Sequence, residues 1–364
     1  MDQNTLRRRG TGLIGADPEL GFGGYTLYAP LTSPGVVHLV DAEGAEAHRW
    51  ELPYRPGRHA RILPNGDLAY NGALPGAQVP FDMWHKYRGG AMCEVAPDGT
   101  ILREHHDPWA HHDANHLGDG RILYAAAEPV DPALVLGGVS GTEADGAVYA
   151  DVIREVGPDG ELLWEWRAIE HLNPEDYPLQ PHYWREHWPL INSVAELADG
   201  SIVASLRSVS AVIVIERSTG NVVWRLGSDV IAQQHCVSEL DGGRLLIFDN
   251  GTFRSRESVT FSRVIEVDRA TSEITWEYTD PTREAFFTPF MGSAQRLGNG
   301  NTMITESAFG RIFEVTPEGR VCWEFVVPQF SRYADPEAAA VFPGESNAVF
   351  RAYRYSAKEL PWLR

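Results

Sequence analysis

Short apolar runs separated by turn-forming clusters fill most of the chain, and apolar positions rarely recur at a helical spacing of 3.6 residues. A phrase of the form Leu-x-x-Gly before a short apolar strand occurs five times. The copies run from Leu63 to Gly66, Leu117 to Gly120, Leu197 to Gly200, Leu240 to Gly243 and Leu297 to Gly300. Each reads as a hairpin turn whose glycine takes a left-handed position. Two further strands with a turn of their own follow, as in VIREV-GPDG-ELLWEW, AVIVIE-RSTG-NVVWRLG, RVIEVD-RATS-EITWEY and RIFEV-TPEG-RVCWEF. Trp164, Trp224, Trp276 and Trp323 mark the last strand, spaced about 50 residues apart.

Four antiparallel strands per repeat of this length match a propeller blade. Five complete units begin near residues 58, 111, 190, 233 and 291. A sixth is assembled from both ends: GYTLYAP, VVHLVD and AHRWEL supply three strands, and ESNAVFRAYRY supplies the fourth. That arrangement closes the ring and removes an unpaired edge. The expectation is an all-β, six-bladed β-propeller forming a single domain over 1–364, with a short flexible N-terminus at 1–20. A seventh blade would require further strands within 73–90. Long insertions interrupt the repeat at ALPGAQVPFDMWHKYRGG, PVDPALVLGGVSGTEADGA and IEHLNPEDYPLQPHYWREHWP, with a shorter one at DPTREAFFTPF. Connections of this length usually serve as lids or rims.

Aligning the copies on the repeat leucine gives an internal register. Five positions before it stand Arg58, His112, Asn192, His235 and Gly292; four before it stand His59, Asp113, Ser193, Cys236 and Ser293; three before it stand Ala60, Ala114, Val194, Val237 and Ala294. The innermost strand of every blade borders the axis, so equivalent positions converge. One polar residue at such a position is ordinarily a hydrogen-bond cap. Two histidines and an asparagine in one register, with His59, His111 and His116 nearby, point to a site in the channel. His235 and His112 suit a nucleophile, a general acid or base, or a metal ligand. Strict strand alternation sends neighbours in HHDANH to opposite faces, and Asp113 is the main acidic partner in register, so no metal or cofactor is expected. The same alternation turns Cys236 into the blade interior. Arg207 reads either as a surface ion-pair arginine or as a fixed fork for an oxyanion. The loop aromatics, Phe81, Trp84, Tyr87, Tyr183, Trp184, Trp188, Phe286, Phe287 and Phe290, seal loop packing or overhang the channel to hold a flat substrate.

Composition narrows the partners. A net charge of −19 over 364 residues argues against nucleic acid or an anionic membrane surface. No apolar stretch approaches the ~18 residues of a membrane span. Cys93, Cys236 and Cys322 are scattered, without a CxxC pair, which favours reduced thiols and a cytoplasmic location. The arginines near the N-terminus have no apolar stretch behind them, so a secretory signal is not expected. No GxGxxG or Walker sequence is present.

Several stretches are similar to one family. WPLINSVAELADGSIVASLR, VIVIERSTGNVVWRLG, QQHCVSELDGGRLLIFDNG with SRVIEVD, and HHDANHLGDGRILY resemble the aryl-sulfate sulfotransferases across residues 58–326. The resemblance implies a six-bladed propeller that moves a sulfuryl group between phenols without a nucleotide sulfate donor. It implies a transiently sulfated histidine at His235, with Arg207, Asn192 and His112 as the other catalytic positions. One departure stands out: Leu190 occupies the place of a family histidine two residues before Asn192. The family's periplasmic members also carry export signals of a kind not seen here.

The leading expectation is therefore sulfuryl transfer through His235, supported by His112, Arg207 and Asn192. His59, His116, Leu190, Arg58, Trp84, Trp188 and Phe287 are expected to line a pocket for a small aromatic molecule. A hydrolase or lyase using the channel histidines as general acid or base is the alternative, and a non-catalytic interaction propeller is a third. A homo-oligomer is compatible with any of them.

Overall fold

A computed structural model describes residues 10–131, 147–180 and 183–363. Strand β1 (Gly12–Ala16) is followed by β2 (Tyr25–Pro30), β3 (Val36–Val40) and β4 (Glu46–Glu51). Blade 1 comprises β5 (Pro56–Ile62), β6 (Leu68–Gly72), β7 (Gly90–Val95) and β8 (Ile101–Asp107). Blade 2 comprises β9 (Ala110–His116), β10 (Ile122–Val130), β11 (Val148–Val156) and β12 (Leu162–Arg167), with the two-residue β13 (His187–Trp188) parallel to β11. Blade 3 is β14 (Ile191–Glu196), β15 (Ile202–Leu206), β16 (Ala211–Ile215) and β17 (Val222–Leu226). Blade 4 is β18 (His235–Leu240), β19 (Arg244–Asp249), β20 (Arg263–Asp268) and β21 (Ile274–Tyr278). Blade 5 is β22 (Ser293–Arg296), β23 (Thr302–Glu306), β24 (Arg311–Val315) and β25 (Val321–Val326). The last strand, β26 (Val349–Tyr355), pairs with β2 and completes blade 6 in the order β26-β2-β3-β4. The six-bladed ring closes as the two-ended repeat implied.

The stretch 73–90 holds no extra blade; it contains the one-turn helix α1 (Trp84–Tyr87). Two other short helices, α2 (Ala168–His171) and α3 (Pro336–Val341), lie in blade connections. The expected flexible N-terminus needs correction over part of its length. Gly12–Ala16 pairs antiparallel with β25 and covers the outer edge of blade 5, while residues 1–9 lie outside the described residues. The insertion at 129–147 is likewise outside them from 132 to 146.

Each seam between blades is an apolar layer. Leu123, Ile153, Ile202 and Ile213 fill the seam of blades 2 and 3, and Leu39, Trp50, Leu68 and Tyr70 fill that of blades 6 and 1. The outer-strand tryptophans add a hydrogen bond to the next blade. Trp164, Trp224, Trp276 and Trp323 donate Nε1–H to Arg217 O, Ser272 Oγ, Pro317 O and Ala42 O, and Trp50 of blade 6 donates to Ala96 O in blade 1. Blade 1 carries no tryptophan on β8; Arg103 reaches Gly157 O of blade 2 at 2.7 Å instead. The repeat phrase thus encodes both a strand and its tie to a neighbour.

All six innermost strands run in the same direction, because each blade begins at the axis and ends outside. Their starts lie on one face of the ring, and four of the Leu-x-x-Gly hairpins close on the other, with Gly66, Gly120, Gly200 and Gly300 left-handed and bonded to the leucine carbonyl. The long connections 73–89, 168–190, 279–292 and 327–348 all return to the first face, the mouth. Among the described residues no helix is long and apolar enough to cross a membrane.

Deleting residues 343–364 strips β26 from the axis and opens the ring. The expected loss is ~5 kcal/mol or more, comparable with the whole stability of many domains. A truncated protein that melts like the full chain would contradict the closure.

Candidate functional site

The axis is closed by a buried ion pair. Asp113 Oδ1 accepts from His59 Nε2 at 2.8 Å and from Arg351 Nη1 at 3.0 Å; Oδ2 accepts from Arg351 Nη2 and from Val194 N–H, each at 2.9 Å. Arg351 Nη2 also donates to Asn192 O at 3.3 Å. Burial pushes the Asp113 carboxyl up, but Arg351 and His59 together hold it well below the usual carboxylate range. Four blades therefore meet on one carboxylate.

The inner strands do not alternate regularly at the mouth. Pairing registers shift between Tyr124 and Ala125, Ile191 and Ser193, and His235 and Val237, so His112 with Asp113, Asn192 and Cys236 are extra residues in β-bulges. Left-handed backbone accompanies them: His112 has φ 47°, Leu190 60°, Gln233 52°, Cys236 45° and Met291 59°. Such conformations cost energy in non-glycine residues and cluster at sites where a side chain is re-aimed. In blade 5 the same register holds Gly292, where an added Cβ would lie 2.4 Å from the Phe248 ring.

Above the ion pair lies a narrow pocket lined by Trp84, Tyr87, His112, Tyr183, Leu190 and Arg207, with Phe81, Met83, Trp184, Glu186 and His187 toward its rim. The Tyr87 ring centroid lies 3.8 Å from that of His112. His112 Nδ1 is 2.9 Å from His111 Nδ1, and its Nε2 has no hydrogen-bond partner among the described residues. Burial first, then the neighbouring His111, holds the His112 pKa well below its ordinary value, which favours the neutral imidazole. Arg207 follows β15, receives its position from Arg207 N–H donating to Leu190 O at 2.8 Å, and lies 5.4 Å from the Tyr183 ring centre. Lys86 Nζ sits 4.4 Å from the Phe290 ring centre and 4.6 Å from that of Phe342. Burial first, then the nearby Arg207, pushes Lys86 down to about 8. Neither Arg207 nor Lys86 forms an ion pair among the described residues.

The structure sorts the sequence-derived site residues. His112, Arg207, Leu190 and Trp84 meet in the pocket. His235 does not line it: Nδ1–H donates to Asn250 Oδ1 at 2.7 Å, and Nε2 accepts from Met291 N–H at 3.1 Å. Asn192 is fully buried and donates to Gln234 O. The expectation that His59 and His116 line the pocket is corrected. His59 belongs to the axial ion pair. His116 lies four residues beyond His112, about 13 Å along an extended strand, toward the hairpin face, and its Nε2 pairs with Asn71 Oδ1. Arg58 is corrected too: both guanidinium tips bond Gly89 O, a structural role. Trp188 packs in the seam of blades 2 and 3 and donates to Tyr177 O, and Phe287 is absent from the pocket wall. Cys236 joins an apolar cluster, and all three cysteines are free and buried. Lys86 and Arg351 escaped the sequence reading. Lys86 sits in an insertion without repeat register, and Arg351 in the one blade lacking a Leu-x-x-Gly to align on.

A family model described as Arylsulfotransferase (ASST) matches residues 85–328, more than half of the chain. No curated protein matches. Among solved structures, a protein of unknown function from Bacteroides caccae superposes with a TM-score of 0.54 at 14% identity, covering 83% of this chain and 93% of that one. Virginiamycin B lyase from Staphylococcus aureus gives a TM-score of 0.47 at 12% identity, covering 88% of this chain and 86% of that one. The first likeness extends to the fold alone.

Two outcomes follow for the axial network. Asp113→Asn leaves Arg351 buried without its counter-charge, and the expected loss is about 3–5 kcal/mol by denaturant titration. His59, ordinarily near 6.5, is held at about 4 by burial and then by Arg351. Between those values the unfolded chain binds more protons at this site, so stability present above pH 6.5 is lost as the pH falls toward 4. One such group contributes up to about 1.4 kcal/mol per pH unit. Urea midpoints should therefore drop across this window, and drop less steeply in His59→Gln.

Proposed function

Since the chain belongs to the arylsulfotransferase (ASST) family, we propose that it transfers a sulfuryl group from an aryl sulfate to a second phenol in the mouth pocket. What supports this best is the free Nε2 of His112 in a pocket that also holds Arg207, with Lys86 as a second cation close by. In a chain of net charge −19, two neighbouring cations without carboxylate partners favour an anionic group. The surrounding Trp84, Tyr87 and Tyr183 suit its aromatic ring, and they must part to admit it, because the cavity as it stands has a volume of about 20 Å³.

In this reading Arg207 and Lys86 hold the sulfate oxygens, and Arg207 offers the planar fork that an oxyanion prefers. The acceptor hydroxyl gives its proton to His112 Nε2 as its oxygen bonds to sulfur. The sulfur–oxygen bond to the donor ring breaks, and the departing phenolate takes the proton back. A bound aryl sulfate brings negative charge against His112 and raises the proton affinity that burial suppresses in the empty pocket. Leu190 supplies no imidazole where relatives have one, which leaves this proton transfer to His112.

The covalent route implied by the family resemblance instead places the sulfuryl group on His235. Asn250 favours that route by fixing the proton on Nδ1, so that the Nε2 lone pair is available in principle. Met291 N–H occupies that lone pair, and attack requires the Met291 peptide to withdraw. Met291 and Gly292 both have positive φ, at 59° and 117°, and form the segment that would move.

Release of a coloured phenol from its sulfate ester, with and without an acceptor phenol, tests the proposal. His112→Gln should lower kcat by about 10²–10⁴-fold, and Arg207→Gln should raise KM and lower kcat, with melting temperatures unchanged in both. Intact-protein mass after donor alone should show no added sulfuryl group; an adduct mapped to His235 would replace direct transfer with the covalent route. Phenol release without acceptor sulfation would indicate hydrolysis. No release from any aryl sulfate would overturn sulfuryl transfer.

A further inference from the structure

Behind the pocket wall three potential ligands converge from three strands. His111 comes from β9, Asp151 from β11 and His187 from β13, and one donor atom of each lies within 4.8 Å of the other two. His187 Nε2 and His111 Nε2 are each 2.8 Å from Asp151 Oδ1. All three residues are buried. Asp151 Oδ2 accepts from Ile191 N–H at 2.9 Å, which orients the carboxylate so that Oδ1 faces the imidazoles. Aromatic rings seal the cluster: Trp84 lies 5.5 Å from the His111 ring and Phe81 lies 5.7 Å from that of His187, centre to centre.

One feature of this cluster is at odds with a simple hydrogen-bonded triad. His187 meets Asp151 in good geometry, whereas His111 Nε2 makes its 2.8 Å approach at a poorer hydrogen-bond angle. An imidazole N–H and an imidazole lone pair point along the same in-plane direction. His111 Nε2 thus leaves room for a shared ligand position among three donor atoms that all lie within 4.8 Å of one another. Two imidazoles and one carboxylate form a ligand set for borderline divalent ions such as Zn²⁺, Co²⁺ or Fe²⁺, with a coordination position left open.

We propose that His111, Asp151 and His187 bind one divalent transition-metal ion, and that this ion sets the tautomer of His112. The Nδ1 atoms of His111 and His112 lie 2.9 Å apart, so one proton is shared between them. Without a cation, His111 Nε2 must carry a proton toward Asp151, because a lone pair there would oppose the carboxylate. His111 Nδ1 is then the acceptor, His112 donates from Nδ1, and His112 Nε2 presents a lone pair to the pocket. A metal on His111 Nε2 displaces that proton to Nδ1. His111 then donates, His112 Nδ1 accepts, and His112 Nε2 becomes an N–H donor. The ion would turn the pocket imidazole from a base into a hydrogen-bond donor for an anion. This partner of the ligand acts as outer-shell groups do at other metal sites.

Strict alternation along HHDANH argues against this ligand set. The bulge at His112 and Asp113 breaks that alternation, and Asp151 and His187 come from parts of the chain with no register to the motif.

The test needs no substrate. The full-length protein is stripped with EDTA and titrated with Co²⁺, then with Zn²⁺ in competition. One equivalent should bind with a visible d–d absorption band and raise the melting temperature. His187→Gln should weaken binding by ~100-fold or more while keeping the circular dichroism of the parent. Asp151→Glu, which retains the charge, should keep measurable binding. Long-range ¹H–¹⁵N spectra should show His112 Nε2 unprotonated without Zn²⁺ and protonated with it. Absence of saturable Co²⁺ binding, or equal binding by His187→Gln, would overturn the metal site. Binding without the change at His112 Nε2 would overturn the tautomer switch.

Discussion

Asp113 is the point on which the ring depends. A carboxylate taken out of water is tolerated only when its lone pairs are satisfied, and here His59, Arg351 and Val194 supply the donors. Those donors belong to blades 1, 6 and 3, while Asp113 itself belongs to blade 2. The strand that carries Arg351 is the one that closes the ring. Circular closure and neutralisation of the central charge thus depend on the same strand.

That plug shapes everything above it. Among the described residues, the pocket lies on the face where the long connections gather because every inner strand runs the same way. Seams built from apolar layers and tryptophan hydrogen bonds keep the blades fixed. At the mouth His112, Leu190, Cys236 and Met291 adopt left-handed backbone. A rigid ring with a few re-aimed residues at one end is a setting in which polar side chains can be held in place without water to compete for them.

Electrostatics separate the mouth from the rest of the surface. Most arginines of this acidic chain lie in ion pairs, for example Arg121 with Glu155 and Arg311 with Glu306. Arg207 and Lys86 are among the cations that do not, and they lie near imidazoles whose protonation burial disfavours. His235 has both nitrogens engaged, whereas His112 has no partner at Nε2 among the described residues. Asn250 and Met291 decide the first; His111 and the aromatic wall decide the second.

The sequence by itself determined the blade count, the strand order and the closure, because each follows from local repetition: a glycine that must be left-handed, a leucine that caps the hairpin, a tryptophan on the outer strand. The repeat register also put His112, Asn192 and His235 at equivalent inner-strand positions, whereas Arg207 and Leu190 came from the family resemblance. Alternation misjudged what came next. Irregular pairing at the strand starts breaks strict alternation, and no single-residue signal announces it, so His59 and His116 looked like neighbours of His112 when they are not. Arg351, Lys86, Asp151 and His187 lay outside the register altogether. Only the tertiary structure brought them in, because a buried charge or a ligand cluster is satisfied by whichever strand or loop passes within hydrogen-bond reach, and that distance has no counterpart along the chain.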